Sequence, residues 1–522
     1  MENRDRKIVY WGAGFIGKCC LEYHPELNVA FFVDSNNGKS VIHGKEIKQP
    51  EQIKNWKNYF VIITVKNIEA VEQISDYLMK MGLIPDEDFC TYEKYFQCTQ
   101  PLVKESIEYI QAYMENTPDV SGSTVIIANA LRIRNSKGFE NFAAAYVKAR
   151  RPQKCLFLAN WLVINPKEVS QKLSGQAIFL PNFHGAVSAA LSVEEMRWLE
   201  ELKQRKKDGY SKEIDEQIQN MLVYYNSIIR ILQPQKIVFW GNWSLESYIV
   251  KYVAQKNGIA SGYIEHGWLP GTYQIDPRGI MGQGELAVHP NLIKELEVKD
   301  IYNIREIKDY IIKEKLDTRI FHETTEDKES VQKLKKGHKT VFLVGMDDYG
   351  MQMNPKDDYW KKYISSNVES TEDALRQLMP VCRKKEWNLV FKPHPDNPVS
   401  EWVKESEELI LVRDMEIDRL IQLADVVVSI ASAVDFKTLI YGKPLVQLGI
   451  NALRGAECTY CVERMEQLED MLEGAMEQGM TKEQVRKFDY LLQLLLQYYL
   501  WDDLTERQLR YGLPVERDFY ER

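Results

Sequence analysis

The sequence predicts an α/β protein built from several successive sheet units, and three observations carry that reading. Short apolar runs alternate with amphipathic helical stretches along most of the chain, the pattern of parallel strands joined by crossover helices. The first run, KIVYWG from Lys7, leads directly into Gly12-x-Gly14-x-x-Gly17 and a helix. Several later runs stop abruptly at charged or hydroxyl residues, and the carboxyl ends of strands are where such sheets gather ligands.

Residues 1–96 read as a compact unit. KIVYWG is a buried strand, GFIGKCCLEY a helix, VAFFVD a second strand ending in Asp34, YFVIITV a third, and IEAVEQISDYLMKMG a helix. Residues 97–120 form a helical connector ending in the turn signals TPDVSGS. A second α/β region covers 121–330, with strands TVIIAN, KCLFLAN, AIFLPN, KIVFWGN and SGYIEHG and charged amphipathic helices from Val193 to Leu232. Its polar end, from about Asp317 to Lys339, reads as a linker. A third region, 335–455, carries TVFLVGMDD, NLVFKPHPD, LILVRD, DVVVSIAS and KPLVQLG. From 456 to 522 the pattern is almost wholly helical, and the apolar FDYLLQLLLQYYLW is expected to pack on the globular body, since it lacks the basic face of a membrane-surface helix.

Bulk properties narrow the function. A length of 522 residues suits about three domains, and a net charge of −9 speaks against a dedicated nucleic-acid binder. The basic run KQRKK at 203–207 is read as a solvated helix face. Eight scattered cysteines show no disulfide framework. Cys458-x-x-Cys461 has ligand-like spacing but no second pair, so reduced thiols are expected rather than zinc. The start MENRDRKIVYW runs straight into a strand, and no apolar run reaches the roughly 20 residues of a membrane span. A cytoplasmic location is therefore expected.

Three strand ends carry chemistry. In Tyr263-Ile264-Glu265-His266-Gly267 a strand closes on an acid and a histidine, with Asp276 in the loop beyond. A carboxylate there is placed to take a proton. Taken alone, a turn cap and an ordinary loop histidine explain the pair as well. In Val390-Phe391-Lys392-Pro393-His394-Pro395 two prolines fix the direction of Lys392 and His394, which suit an anionic phosphate. In Val428-Ser429-Ile430-Ala431-Ser432 hydroxyls precede a helix, an anion site or a plain N-cap. Asp347-Asp348 ends another strand and leaves a divalent ion open, a turn being the competing reading.

On the pieces WGNWSLES, EHGWLPGTYQIDPRG, FKPHPD and SIASAVDFKTLIYGKPLVQLG, residues 123–455 resemble the bacterial capsular polysaccharide synthesis family. Its members are similar to Kdo- and sialic-acid-transferring glycosyltransferases. The resemblance implies a GT-B architecture of two facing Rossmann-like domains, here preceded by the small Rossmann-like unit and followed by the helical tail. It implies an acceptor glycan in the first GT-B domain and a CMP-activated sugar in the second, with no required cofactor. Glu265 then matches the catalytic acid, with His266 beside it and Asp276 at the acid after the Leu-Pro-Gly stretch. His394 with Pro395, and Ser429 with Ser432, match the phosphate-binding elements, beside which Lys392 would also meet the donor.

Two departures from the family stand out. His266 replaces an acid, and Lys437 stands where the family carries an acid for donor contacts; Asp435 lies on another face of that helix. The implied partners are a nucleotide-sugar and a glycan or lipid-linked glycan, the latter placing the protein peripherally at the inner membrane face.

The alternatives are transfer of glycerol phosphate from a CDP-linked donor and, from Gly12, Gly14, Gly17 and Asp34, an NAD-linked oxidoreductase. Against the latter, the first unit resembles the small domain heading bacterial sugar acyltransferases, which implies that these four residues bind a nucleotide or nucleotide-sugar.

Overall fold

The computed structural model describes the chain except residues 1–5, 36–40, 43, 66, 97–100, 128–135, 152, 160–169, 172, 174, 184–190, 206–211, 242–243, 316–323, 349–357, 396, 398, 506 and 513–522. Parts of the KQRKK, WGNWSLES and FKPHPD stretches therefore lie outside the described residues. The chain divides into two compact units, Met1–Gly185 and Ala186–Arg522.

The first unit opens with β1 (Lys7–Trp11), β2 (Val29–Val33), β3 (Val41–Ile42), β4 (Lys45–Lys48), β5 (Tyr59–Ile63) and β6 (Phe89–Thr91), ordered β3-β4-β2-β1-β5-β6. All pairs are parallel except the β3–β4 hairpin, which the sequence did not announce. The alternate side chains Val9, Trp11, Val61 and Ile63 close one core with Trp56 and Leu78, as the period of two in a strand requires. Helix Phe15–Tyr23 starts at Gly14, and helix Ile68–Lys80 starts at Asn67, whose side chain accepts the Ala70 N–H. Further on, β7 (Thr124–Ile127), β8 (Cys155–Ala159) and β9 (Gln176–Phe179) pair in parallel.

In the second unit β10 (Lys236–Trp240) and β11 (Ala260–His266) are parallel, and β12 (Thr272–Asp276) returns antiparallel to β11. Asp276 is therefore a strand residue and not part of a loop: every residue of β12 is buried, so both its faces are covered, and a short turn joins it to β11. The fully parallel sheet comprises β13 (Thr340–Val344), β14 (Asn388–Lys392), β15 (Ile410–Leu411), β16 (Val426–Ser429), β17 (Leu445–Gln447) and β18 (Tyr460–Cys461). Its order, β15-β14-β13-β16-β17-β18, is the 3-2-1-4-5-6 order of doubly wound sheets, with its switch point between β13 and β16.

Two stretches depart from the sequence reading. The polar segment expected as a linker contains helix Thr325–Gln332, and its buried Asp327 accepts the N–H groups of Arg413 and Asp414 at 2.9 and 2.6 Å. A polar composition thus hides a packed element, because its one inward carboxylate is fully bonded. The tail is mostly helical, as expected, and in addition supplies both β18 and β19 (Leu500–Asp502), the latter antiparallel to β12. Helix Lys482–Tyr498 packs as expected: Phe488, Leu491, Leu492, Leu494 and Leu495 are fully buried in a core shared with Ile304, Ile307 and Ile311. Among the described residues no helix is long and apolar enough to cross a membrane.

Candidate functional site

At the switch point of the parallel sheet, the loops after β13 and β14 are pressed together. The Gly345 N–H donates to the Lys392 carbonyl at 2.8 Å, and a Cβ on Gly345 would stand 2.5 Å from the His394 nitrogen. Only glycine permits that approach. Asp348, fully buried, accepts the Thr371 N–H and hydroxyl at 2.8 and 2.9 Å, and burial pushes its carboxyl up to about 6 despite those bonds. Asn397 donates to the Met346 carbonyl at 3.2 Å. His394 is thereby held half-buried on a stitched pair of loops. Lys392 is buried, and its Nζ donates to the Arg413 carbonyl.

Across the switch point, Ser429 ends β16 and is fully buried, while Ser432 is half-exposed. Asp435 is tied to the second of them: its carboxylate accepts the Ser432 N–H at 3.2 Å and the Asn451 amide at 2.8 Å. Burial still pushes Asp435 up to about 6. The Ser432 hydroxyl accepts the Val434 N–H at 3.2 Å, but the N-cap of helix Val434–Ile440 is Ala433, which makes no side-chain capping bond, so Ser432 stands one residue ahead of the capping position. Lys437 takes a different direction: buried, it pairs with buried Asp418 at 2.6 Å, and the Tyr441 hydroxyl holds the other oxygen of that carboxylate. Desolvation weighs against both charges, so this pairing is what makes their burial tolerable.

Glu265 is half-buried near the end of β11, opposite Gln274, and its Oε1 accepts the His266 N–H at 2.8 Å. The His266 ring lies edge-on to Trp240 at 5.0 Å and beside Tyr273 at 5.4 Å. Asp276 is fully buried. Its oxygens accept the N–H groups of Arg278, Gly279 and Glu285 at 2.7, 3.0 and 2.8 Å, and burial nevertheless lifts it to about 7. One residue links this hairpin to the parallel sheet: Trp268 stacks on Phe436, next to Asp435, at 5.1 Å and on Tyr499 at 5.3 Å. Met281-Gly282 makes a second link, since a Cβ on Gly282 would lie 1.7 Å from the Tyr363 carbonyl oxygen.

In the first unit, Gly12 has φ +122° and its Cβ would meet the Thr64 carbonyl at 2.8 Å; a Cβ on Gly17 would stand 2.1 Å from the Gly12 carbonyl. Gly14 has open space around it. Half-buried Asp34 accepts the Ala13 N–H at 2.9 Å, folding the turn onto the end of β2. All four residues singled out in the sequence thus gather at one strand-end crevice. Cys458 and Cys461 are free thiols, the former pushed by burial up to about 12, and among the described residues no group of His, Cys, Asp or Glu could hold a metal ion.

Sequence reasoning missed Gly345, Thr371, Asn397 and Asn451, which build the switch point. Only the strand end GMDD gave any signal for them.

Residues 302–461 match the family model described as capsule polysaccharide biosynthesis protein. No curated relative matches the chain. Among solved structures it is similar to the beta Kdo 2,4 transferase KpsC of Thermosulfurimonas dismutans (14% identity, TM-score 0.36, 50% of this chain and 80% of that one). It is similar to the beta Kdo 2,7 transferase KpsC of that organism (17%, 0.32, 58% and 97%). It also resembles the UDP-GlcNAc 2-epimerase of Neisseria meningitidis (12%, 0.31, 72% and 98%). The matched stretch, residues 302–461, carries all of β13 to β18.

Proposed function

We propose that the protein is a glycosyltransferase of capsular or surface polysaccharide assembly, moving a Kdo- or sialic-acid-like sugar from a CMP-activated donor to a glycan or lipid-linked glycan acceptor. The observation that carries this reading is the coincidence of the family match with a doubly wound sheet whose switch point bears His394 and Ser432. A departing nucleotide phosphate develops negative charge at such a crevice. On this reading His394 and the Ser432 hydroxyl meet that charge, and Asp435 and Gly345 hold them in place. Lys392 and Lys437, both buried in pairings of their own, contribute charge from beneath the surface. Glu265 takes the proton of the acceptor hydroxyl as the bond from sugar to phosphate breaks.

A thermal-shift panel tests the donor class, because a ligand that binds the native state raises its stability by about 2.7 kcal/mol at a hundred times its Kd. The expected result is a rise of several degrees with CMP that disappears in His394→Ala. A response to NAD alone, or turnover of CDP-glycerol with no turnover of any CMP-sugar, would overturn the proposal.

A further inference from the structure

The stretch after β19 folds back over the turn that joins β11 to β12. Arg507, with a side chain 11% exposed, donates from Nη1 to the Pro270 carbonyl at 2.9 Å and from Nη2 to the Gly271 carbonyl at 3.3 Å. The same guanidinium bonds to Asp502, and to Asp503 at 3.0 Å. The Asp503 N–H also donates to the Gly271 carbonyl, at 2.9 Å. Gly271 has φ +72°, and a Cβ there would stand 2.5 Å from Nη1. Turn and guanidinium are therefore fitted to each other.

Both carboxylates are fully buried and otherwise occupied. Asp502 accepts the N–H groups of Leu504, Tyr511 and Gly512, and Asp503 accepts the Thr505 N–H and hydroxyl. On its other side the turn is closed by the Gly267 N–H on the Thr272 carbonyl at 2.8 Å and by the Thr272 hydroxyl on the Leu269 carbonyl at 2.6 Å. What this frame fixes is the register of the hairpin, Glu265 opposite Gln274 and His266 opposite Tyr273.

We propose that Arg507 is a positioning residue: its planar fork, gripping two turn carbonyls and two buried carboxylates at once, holds the hairpin that aims Glu265 and His266. The role rests on the transferase reading above. A lysine cannot replace it, because one ammonium cannot span four acceptors with the geometry of a guanidinium. Misplacing a reacting group by about 1 Å costs on the order of a hundredfold in rate, whereas the bonds of Arg507 go to the turn and to Asp502 and Asp503 and not to the loops that carry His394 and Ser432.

The test uses the full chain with Arg507→Ala, Arg507→Lys and the milder Asp503→Asn, assayed well below their melting temperatures. For Arg507→Ala the expected result is a kcat lowered by about 10- to 100-fold with the donor KM within about twofold, partly restored by free guanidinium. Arg507→Lys stays impaired, and Asp503→Asn shows a smaller loss. An unchanged kcat in Arg507→Ala, or a loss in folded protein that guanidinium does not relieve, overturns the proposal.

Amide hydrogen exchange supplies a readout independent of transfer. Protection is expected to fall at residues 267–273 in Arg507→Ala and to persist in β13 and β14. Wild-type protection of the hairpin in that variant overturns the proposal even if the wild-type protein turns over no donor, an outcome that would sink the transferase reading alone.

Discussion

The crevice of the first unit and the crevice of the parallel sheet in the second share a reversal of strand order and differ in construction. Both lie where strand order reverses, between β1 and β5 in one and between β13 and β16 in the other. The first is shaped by glycines with one half-buried acid, Asp34, folded onto the turn. The second also brings glycines close to backbone between its loops, Gly345 and Gly449, and adds buried carboxylates that bond backbone and side chains of neighbouring loops. Glycine construction lets a ligand approach the main chain. Carboxylate construction fixes the few side chains, His394 and Ser432, that are left half-exposed. A shared reversal of strand order therefore gives the place of a site, while the way its loops are held gives its chemistry.

Four experiments break or sharpen that contrast. The largest effect is expected for Lys437→Met, which strands buried Asp418. Removal of one partner of a buried pair costs about 3–5 kcal/mol, read as a lowered urea midpoint.

Next comes pH. Asp276, Asp348 and Asp435 are all raised by burial, to about 7, 6 and 6 from an ordinary 3.8. In the unfolded chain they are ionised above about pH 4, whereas the folded chain keeps their protons longer. Folding stability is therefore fully present below pH 4 and is lost as pH rises toward 7, by on the order of 3 kcal/mol for Asp276. Denaturation from pH 4 to 8 checks the slope, and Asp276→Asn should flatten it; an unchanged slope would refute this account of Asp276.

Third, Gly17→Ala and Gly345→Ala each drive a Cβ into backbone, at 2.1 and 2.5 Å, and should cost about 2–3 kcal/mol. The second should also remove the CMP response, and the first should leave it intact. Smallest is Gly14→Ala. With nothing within 4 Å, it should change stability by less than about 0.5 kcal/mol, so a large loss would mean that the turn makes contacts its open surroundings do not suggest.

The strands of both crevices were legible because their apolar runs end at glycine or charge, as KIVYWG and NLVFKPHPD do. Gly12, Gly17 and Asp34 were legible as a set, since local spacing alone brings them together. Long-range partners were not. Nothing in the neighbourhood of Lys437 announces Asp418, and the short run TYQID reads as a loop until β19 pairs with it. The polar TTEDKES stretch hid a helix for the same reason, its buried Asp327 being bonded to backbone far away in sequence.

The union of β12 with β19 also governs how the chain is made. Arg507 and Pro270 stand 237 positions apart, so at about 5–20 residues per second a ribosome delivers the closing strand roughly ten to fifty seconds after the hairpin it covers. Through that interval β12 is an open sheet edge, the kind that recruits other strands. Gln274 and Asp276 lie on this strand, and the hairpin becomes a finished element only when almost all of the second unit has been synthesised.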